Sequence, residues 1–182
     1  DDITISAGST TGTVSFTPTD DSIYEGEDDE TATISVSSVS GGGASESGTQ
    51  AVTITITDNE SAPTVTLATS ATSIAENSAS NLTLTATLSG ATFQDVTVSI
   101  STSGTATEGT DYATISDITI SAGSTTGTAV FNPTDDSDET DTVTATVAIS
   151  GVSGGGASES GSQSVTISIL DDESVPRVSL TV

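Results

Sequence analysis

The chain of 182 residues has no cysteine, no histidine and no tryptophan, and its single basic residue is Arg177. Each absence removes a class of chemistry. Without cysteine there are no disulfides and no thiolate metal ligands. Without histidine, cysteine or lysine there is no Ser–His or Cys–His pair and no Schiff-base amine. Paired carboxylates can hydrolyse glycosides, but sugar sites usually want an aromatic platform, and aromatics make up 3% of this chain. The chain is therefore expected not to be an enzyme. With no basic patch, neither nucleic acid nor an anionic membrane is an expected partner. No apolar run reaches the roughly 18 residues of a membrane span. Lysine-based cross-links are excluded, and trypsin has one cleavage point, after Arg177, which suits a life outside cells.

What the chain has in excess is acid. There are 26 Asp and Glu against one base, a formal charge of −25. The acids come in runs. Residues 134–141 read T-D-D-S-D-E-T-D, and residues 19–30 read T-D-D-S-I-Y-E-G-E-D-D-E. Carboxylates at this density repel one another, and the chain holds almost no cation to offset them. The runs are expected to bind a cation from outside.

A long repeat organises the rest. Residues 2–13 recur unchanged at 117–128, and residues 41–48 recur at 154–161. Asp58 and Pro63 correspond to Asp171 and Pro176, and the acidic run is longer in the first copy. A repeat of this length means tandem domains rather than a solenoid of short units. Residues 1–60 read as the second half of a copy, strands D to G. Residues 63–173 read as a complete copy and residues 174–182 as the first strand of a further one, as in a window on a longer array.

Within the complete copy, apolar and small polar residues alternate, the mark of half-buried strands. The alternation predicts strand A at Val65 and Leu67, B from Leu82 to Leu88, C at Val96, Val98 and Ile100, and D at Ile118 and Ile120. It predicts E at Ala129 and Phe131, F from Val143 to Ile149, and G at Val165, Ile167 and Ile169. Tyr112 and Phe131 are expected in the core. Thr and Ser fill the other face, where β-branched Thr suits a pleated surface. The expected fold is all-β, a seven-stranded antiparallel immunoglobulin-like sandwich repeated in tandem.

If strands alternate in direction, the A–B, C–D and E–F loops share one pole with the end of G. That pole holds Glu76, Glu108, Asp111, Asp135, Asp136, Asp138, Glu139, Asp141, Asp171, Asp172 and Glu173. The opposite pole is built from Gly, Ser, Thr and Ala, with only Asp95 and Glu159 charged. Carboxylates converging from four segments suit Ca²⁺, which takes ~6–8 oxygen ligands, better than Mg²⁺, which keeps its waters. The spacing of an EF-hand is absent.

These motifs carry a resemblance. Ser73-Ile-Ala-Glu76, Gly104-Thr-Ala-Thr-Glu-Gly-Thr-Asp111-Tyr112, Asp20-Asp-Ser-Ile-Tyr-Glu-Gly-Glu27, its shortened form at residues 135–139, and Ile169-Leu-Asp171-Asp172-Glu173 fall in one order. In that order they resemble the Calx-β domain family, as found in tandem in large bacterial surface proteins and adhesins. The resemblance implies Ca²⁺ ligands at Glu76, Asp111, Asp135, Asp136, Asp171 and Asp172, with Asp138 or Glu139 sharing the load. The first copy, without the early Glu and the Asp-Tyr segment, would offer a partial site from Asp20, Asp21, Glu25 and Asp58.

The remaining motifs have plainer readings. The triple-Gly loops lack the Gly-Lys-Ser/Thr of a phosphate cradle and read as hairpin connections. The Thr-x-Thr rows read as the outward face of strands rather than an ice-binding array. The linkers at residues 58–63 and 171–176 are short and end in proline, so Ca²⁺ at the acidic pole is expected to stiffen each junction. The expected function is thus a non-catalytic calcium-binding structural repeat of an extracellular bacterial adhesin or surface filament. Its partners would be neighbouring repeats, or other subunits of a fibre that complete the half copy by strand addition. The alternatives are a regulatory calcium-sensor domain and a carbohydrate-binding appendage of a secreted enzyme.

Overall fold

The structure, a computed structural model, describes residues 2–26 and 30–181. Its strands, in chain order, are β1 (Ile23–Tyr24), β2 (Glu30–Ser35), β3 (Ala51–Ile56), β4 (Thr64–Thr69), β5 (Ser73–Ala75), β6 (Leu82–Leu88) and β7 (Ala91–Thr92). They continue as β8 (Val96–Gly104), β9 (Ile118–Ile120), β10 (Thr126–Phe131), β11 (Val143–Ser153), β12 (Ser158–Glu159) and β13 (Ser164–Leu170). No helix occurs among the described residues. The chain divides into two units: residues 1–22 with 29–57, and residues 23–28 with 58–182. The second unit thus takes in a segment from inside the first repeat copy.

The second unit is built on two sheets, one ordered β10-β6-β4-β12 and the other β5-β13-β11-β8-β9. Alternation in the sequence becomes alternation in burial. Leu82, Leu84, Ala86 and Leu88 of β6 all point inward, and the threonine residues between them do not. They meet Val65, Val96, Val98, Ile118, Ile120, Phe131, Ala145, Val147, Ile167 and Ile169 in one continuous core. Burying each such side chain stabilises by about 1.5–3 kcal/mol. Tyr112 joins them, stacked on Phe131 with ring centroids 4.9 Å apart. Ile74, Ala106 and Ile115 also belong to the core, although they stand in loops or short strands without clear alternation.

The sheets are mixed, which corrects the expectation of antiparallel pairing throughout. Strand A is broken near Ser70, and its two halves join different sheets. The first half, β4, pairs antiparallel with β6 and parallel with β12. The second half, β5, crosses over and pairs parallel with β13, Ile74 opposite Ile169 and Ala75 opposite Leu170. Apolar alternation marks which face a residue takes, not which strand lies beside it. β11 pairs with both β13 and β8, with an irregularity between Ile149 and Gly151.

The first unit contains the antiparallel pair β2–β3, with Ala32 opposite Ile54 and Ile34 opposite Val52. These strands occupy the expected F and G positions. The stretches expected as D and E, near Ile3–Ile5 and Val14–Phe16, are not strands, although they approach each other: a Cβ on Gly12 would lie 2.4 Å from the Thr4 carbonyl oxygen. Residues 174–181, expected to open a further repeat, form no strand, and Val178 and Leu180 are almost wholly exposed. Of the longer acidic run, residues 27–29 lie outside the described residues, as do Asp1 and Val182.

Candidate metal centre

The crossover of strand A sets up the acidic site. Because β5 runs parallel to β13, both strands deliver their next residues to the same end. The Glu76 N–H donates to the Leu170 carbonyl at 3.0 Å, extending the pairing by one residue. That leaves the Glu76 side chain beside the Asp171–Glu173 segment. The loop that follows β10 brings Asp135 to the same place. Glu76, Asp135, Asp172 and Glu173 each offer one carboxylate oxygen, and the four oxygens lie within 4.8 Å of one another.

That spread is what a single oxygen-liganded cation needs. At metal–oxygen distances of ~2.3–2.6 Å, ligand oxygens on one Ca²⁺ stand no more than about 5 Å apart. Two further observations fit a cation. Glu76 is 8% exposed, and its Oε1 has no hydrogen-bond partner among the described residues; nor has the buried Glu173 Oε2. Buried carboxylate oxygens are costly unless something positive or hydrogen-bonding faces them. Without a cation, Glu76 responds by holding its proton: its pKa rises from 4.5 to about 7. Burial is the main cause, followed by the adjacent Glu173 carboxyl and then the charges of Asp136 and Asp171.

The other expected ligands are placed as follows. Asp111 Oδ2 accepts the Thr107 N–H at 2.6 Å, closing its own loop. Asp136 Oδ1 accepts the Asp138 N–H at 2.7 Å. Asp171 Oδ1 accepts the Thr140 N–H and hydroxyl at 3.1 and 3.2 Å, tying the E–F loop to the end of β13. Asp136 and Asp171 are near enough for their charges to act on Glu76, yet neither belongs to the cluster of four. Asp138 and Glu139 are exposed and outside it too. Asn77 Nδ2 donates to Asp172 Oδ2, so the residue after Glu76 orients a second member of the group. Glu108 accepts the Thr102 hydroxyl and the Ile115 N–H and serves the loop, not the cluster.

In the first copy, Asp58 accepts two backbone N–H groups, from Glu25 at 2.9 Å and Glu60 at 3.0 Å. These bonds, that to Glu60 first, hold its carboxyl below the usual range. Asp20, Asp21, Glu25 and Asp58 form no group of converging carboxylates among the described residues. The member of the cluster that the sequence did not single out as a candidate ligand is Glu173. Its signal was there: it is the third acid of the Asp171-Asp172-Glu173 run, but which of three consecutive carboxylates turns inward is set by the pairing of β13 with β5.

No family model and no curated protein matches the chain. Among solved structures, the chain is similar to the apo-form Calx CBD1 domain, with a TM-score of 0.50 and 18% identity. The match covers 60% of this chain and 99% of that one. The fold is Calx-β-like. A Calx-β-like domain here carries a cluster of four carboxylates that can hold a metal ion, at the end of the sheets where β5 and β13 run out.

Proposed function

We propose that this chain is a non-catalytic calcium-binding structural repeat of an extracellular bacterial adhesin or surface filament. The observation that carries the reading is that two of the four clustered carboxylates, Glu76 and Glu173, each bury an oxygen with no hydrogen-bond partner among the described residues. Ca²⁺ supplies the missing partner, with Asp135 and Asp172 completing the protein ligands and water and carbonyls the remainder. Asp172 and Glu173 lie directly on the linker that ends at Pro176, so metal bound there stiffens the step into whatever follows. The repeated sequence, the charge of −25 and the lack of lysine suit a spacer outside the cell.

Titration calorimetry on the full chain tests the reading. Calcium should bind in the ~10⁻⁴–10⁻³ M range of extracellular modules, with magnesium weaker. At a calcium concentration of about 100 Kd the second unit should gain about 2.7 kcal/mol over the EDTA-treated protein. Glu173→Gln should remove most of that gain, whereas Asp138→Asn should keep it. Identical melting curves in calcium and EDTA would refute calcium binding, and affinity near ~10⁻⁷–10⁻⁵ M would favour a sensor. A maximum dimension in small-angle scattering that ignores calcium would refute the stiffening role.

A further inference from the structure

The end of the second unit opposite the carboxylate cluster is built from the neutral loops, and a tyrosine is buried in it. Tyr24 is 6% exposed. It sits on β1, which runs parallel to β7 with Ile23 opposite Ala91 and Tyr24 opposite Thr92. The Phe93 N–H donates to the Tyr24 carbonyl at 3.2 Å, and the Glu25 N–H donates to Asp58 Oδ2 at 2.9 Å. So this short segment is held by its ring, its backbone and one carboxylate.

The ring rests on the triple-glycine loop. A Cβ on Gly156 would lie 2.6 Å from Tyr24 Cε1, and one on Gly155 would lie 2.7 Å from Thr92 Oγ1. Only glycine leaves room for the tyrosine and for the threonine beneath it. Thr92 is 1% exposed, its hydroxyl donates to the Gln94 carbonyl at 2.7 Å, and its own carbonyl accepts the Gly123 N–H at 2.8 Å. Three neutral loops therefore close into one socket.

The same sequence occurs without an occupant. Gly41, Gly42 and Gly43 have φ of 88°, 58° and 70°, against 90°, 55° and 64° at Gly154, Gly155 and Gly156. No described residue lies within 4 Å of a Cβ placed on any of the first three. The floor of the socket therefore has its shape without a ring upon it. The plug, by contrast, is specific to one copy: residues 19–30 contain Ile-Tyr-Glu-Gly, and the corresponding run at 134–141 does not.

We propose that the neutral end of the complete repeat is a recognition site for an Ile-Tyr-Glu-Gly segment carried on the acidic loop of a repeat of the first-copy kind. A tyrosine-bearing loop engages the repeat that follows it in sequence, and the shortened loop of the complete copy has nothing to insert. Neighbouring repeats are thereby matched by side-chain fit, in addition to any effect of metal. The site uses none of the four clustered carboxylates, so it stands or falls apart from calcium binding.

The full chain tests it in two ways. Gly156→Ala should expel Tyr24 and make it acetylate with N-acetylimidazole at least tenfold faster, while Tyr112 stays protected. Gly43→Ala carries the same backbone strain at the matching open loop and should leave Tyr24 protected. Separately, the Tyr24→Ala chain should bind a synthetic peptide of residues 20–26 saturably. The unaltered chain, whose socket is filled, should bind it at least tenfold more weakly, and a peptide with alanine for tyrosine should not bind. Equal acetylation in the two glycine variants would overturn the proposal. So would a peptide that fails to bind Tyr24→Ala chains retaining the main melting transition, or that binds them no better than the unaltered chain.

Discussion

Residues 2–13 and 117–128 are the same twelve-letter string in two places, and the two places treat it differently. Ile118 and Ile120 are fully buried, whereas their counterparts Ile3 and Ile5 are 54% and 57% exposed. Phe131 is fully buried and stacked on Tyr112; its counterpart Phe16 is 42% exposed. The difference lies in what stands opposite. In the second unit β4, β6 and β8 complete the core, and in the first unit β2 and β3 pair with each other with no such partner layer among the described residues. The comparison teaches that a strand pattern states a willingness to be buried. Burial itself is a property of the other sheet.

The largest test of that contrast is to empty the same position in both copies. Phe131→Ala should cost about 3–5 kcal/mol, as for other buried aromatics. Phe16→Ala should stay within about 0.5 kcal/mol, as for most surface changes. Urea melts followed by circular dichroism measure both, and equal shifts in midpoint would break the comparison.

A smaller effect comes from the carboxylates that the second unit brings together. Glu76 has a folded pKa of about 7 against an ordinary 4.5. The native state therefore holds more protons than the unfolded chain between those values. It follows that metal-free protein should lose stability as pH rises from 4.5 to 7. Glu76→Gln should flatten that slope, and calcium should abolish it by replacing the proton. A melting temperature in EDTA that rises across this window would contradict the burial of Glu76.

The smallest effect is expected at Asp58, the first-copy counterpart of Asp171. Its pKa is lowered from 3.8 by the Glu60 and Glu25 N–H groups. The stabilisation it supplies is thus present above 3.8 and fades as pH falls through the depressed value. Asp58 is only partly buried, so the melting point should barely move in Asp58→Asn. Hydrogen exchange at the Glu25 amide should accelerate, and its failure to do so would show that this bond does not hold the Tyr24 segment.

How far the chain could be read from its letters differs between core and site. The positions of β4, β6, β8, β10, β11 and β13 follow from alternation, because a pleated strand with one dry face must repeat every second residue. The gathering of acid at one end also follows, since loops between successive strands fall alternately at the two ends. Tyr112 and Phe131 were legible as core because large aromatics dominate burial. The parallel pairing of β5 with β13 was not legible. It depends on a break near Ser70 and on a partner almost a hundred residues away, and no local pattern records either.

The sequence by itself determined that this molecule is a β protein with no His, Cys or Lys, with long stretches repeated and with charge almost entirely of one sign. Those properties are sums over residues or local periods. Only the tertiary structure decided that Glu173 joins Glu76, Asp135 and Asp172, and that a tyrosine from the first repeat copy fills the glycine loop of the second copy within one unit. The physical reason is common to both. A metal cage and a socket require atoms within a few ångströms of each other, and distances of that kind are set by which strands pair and where they end.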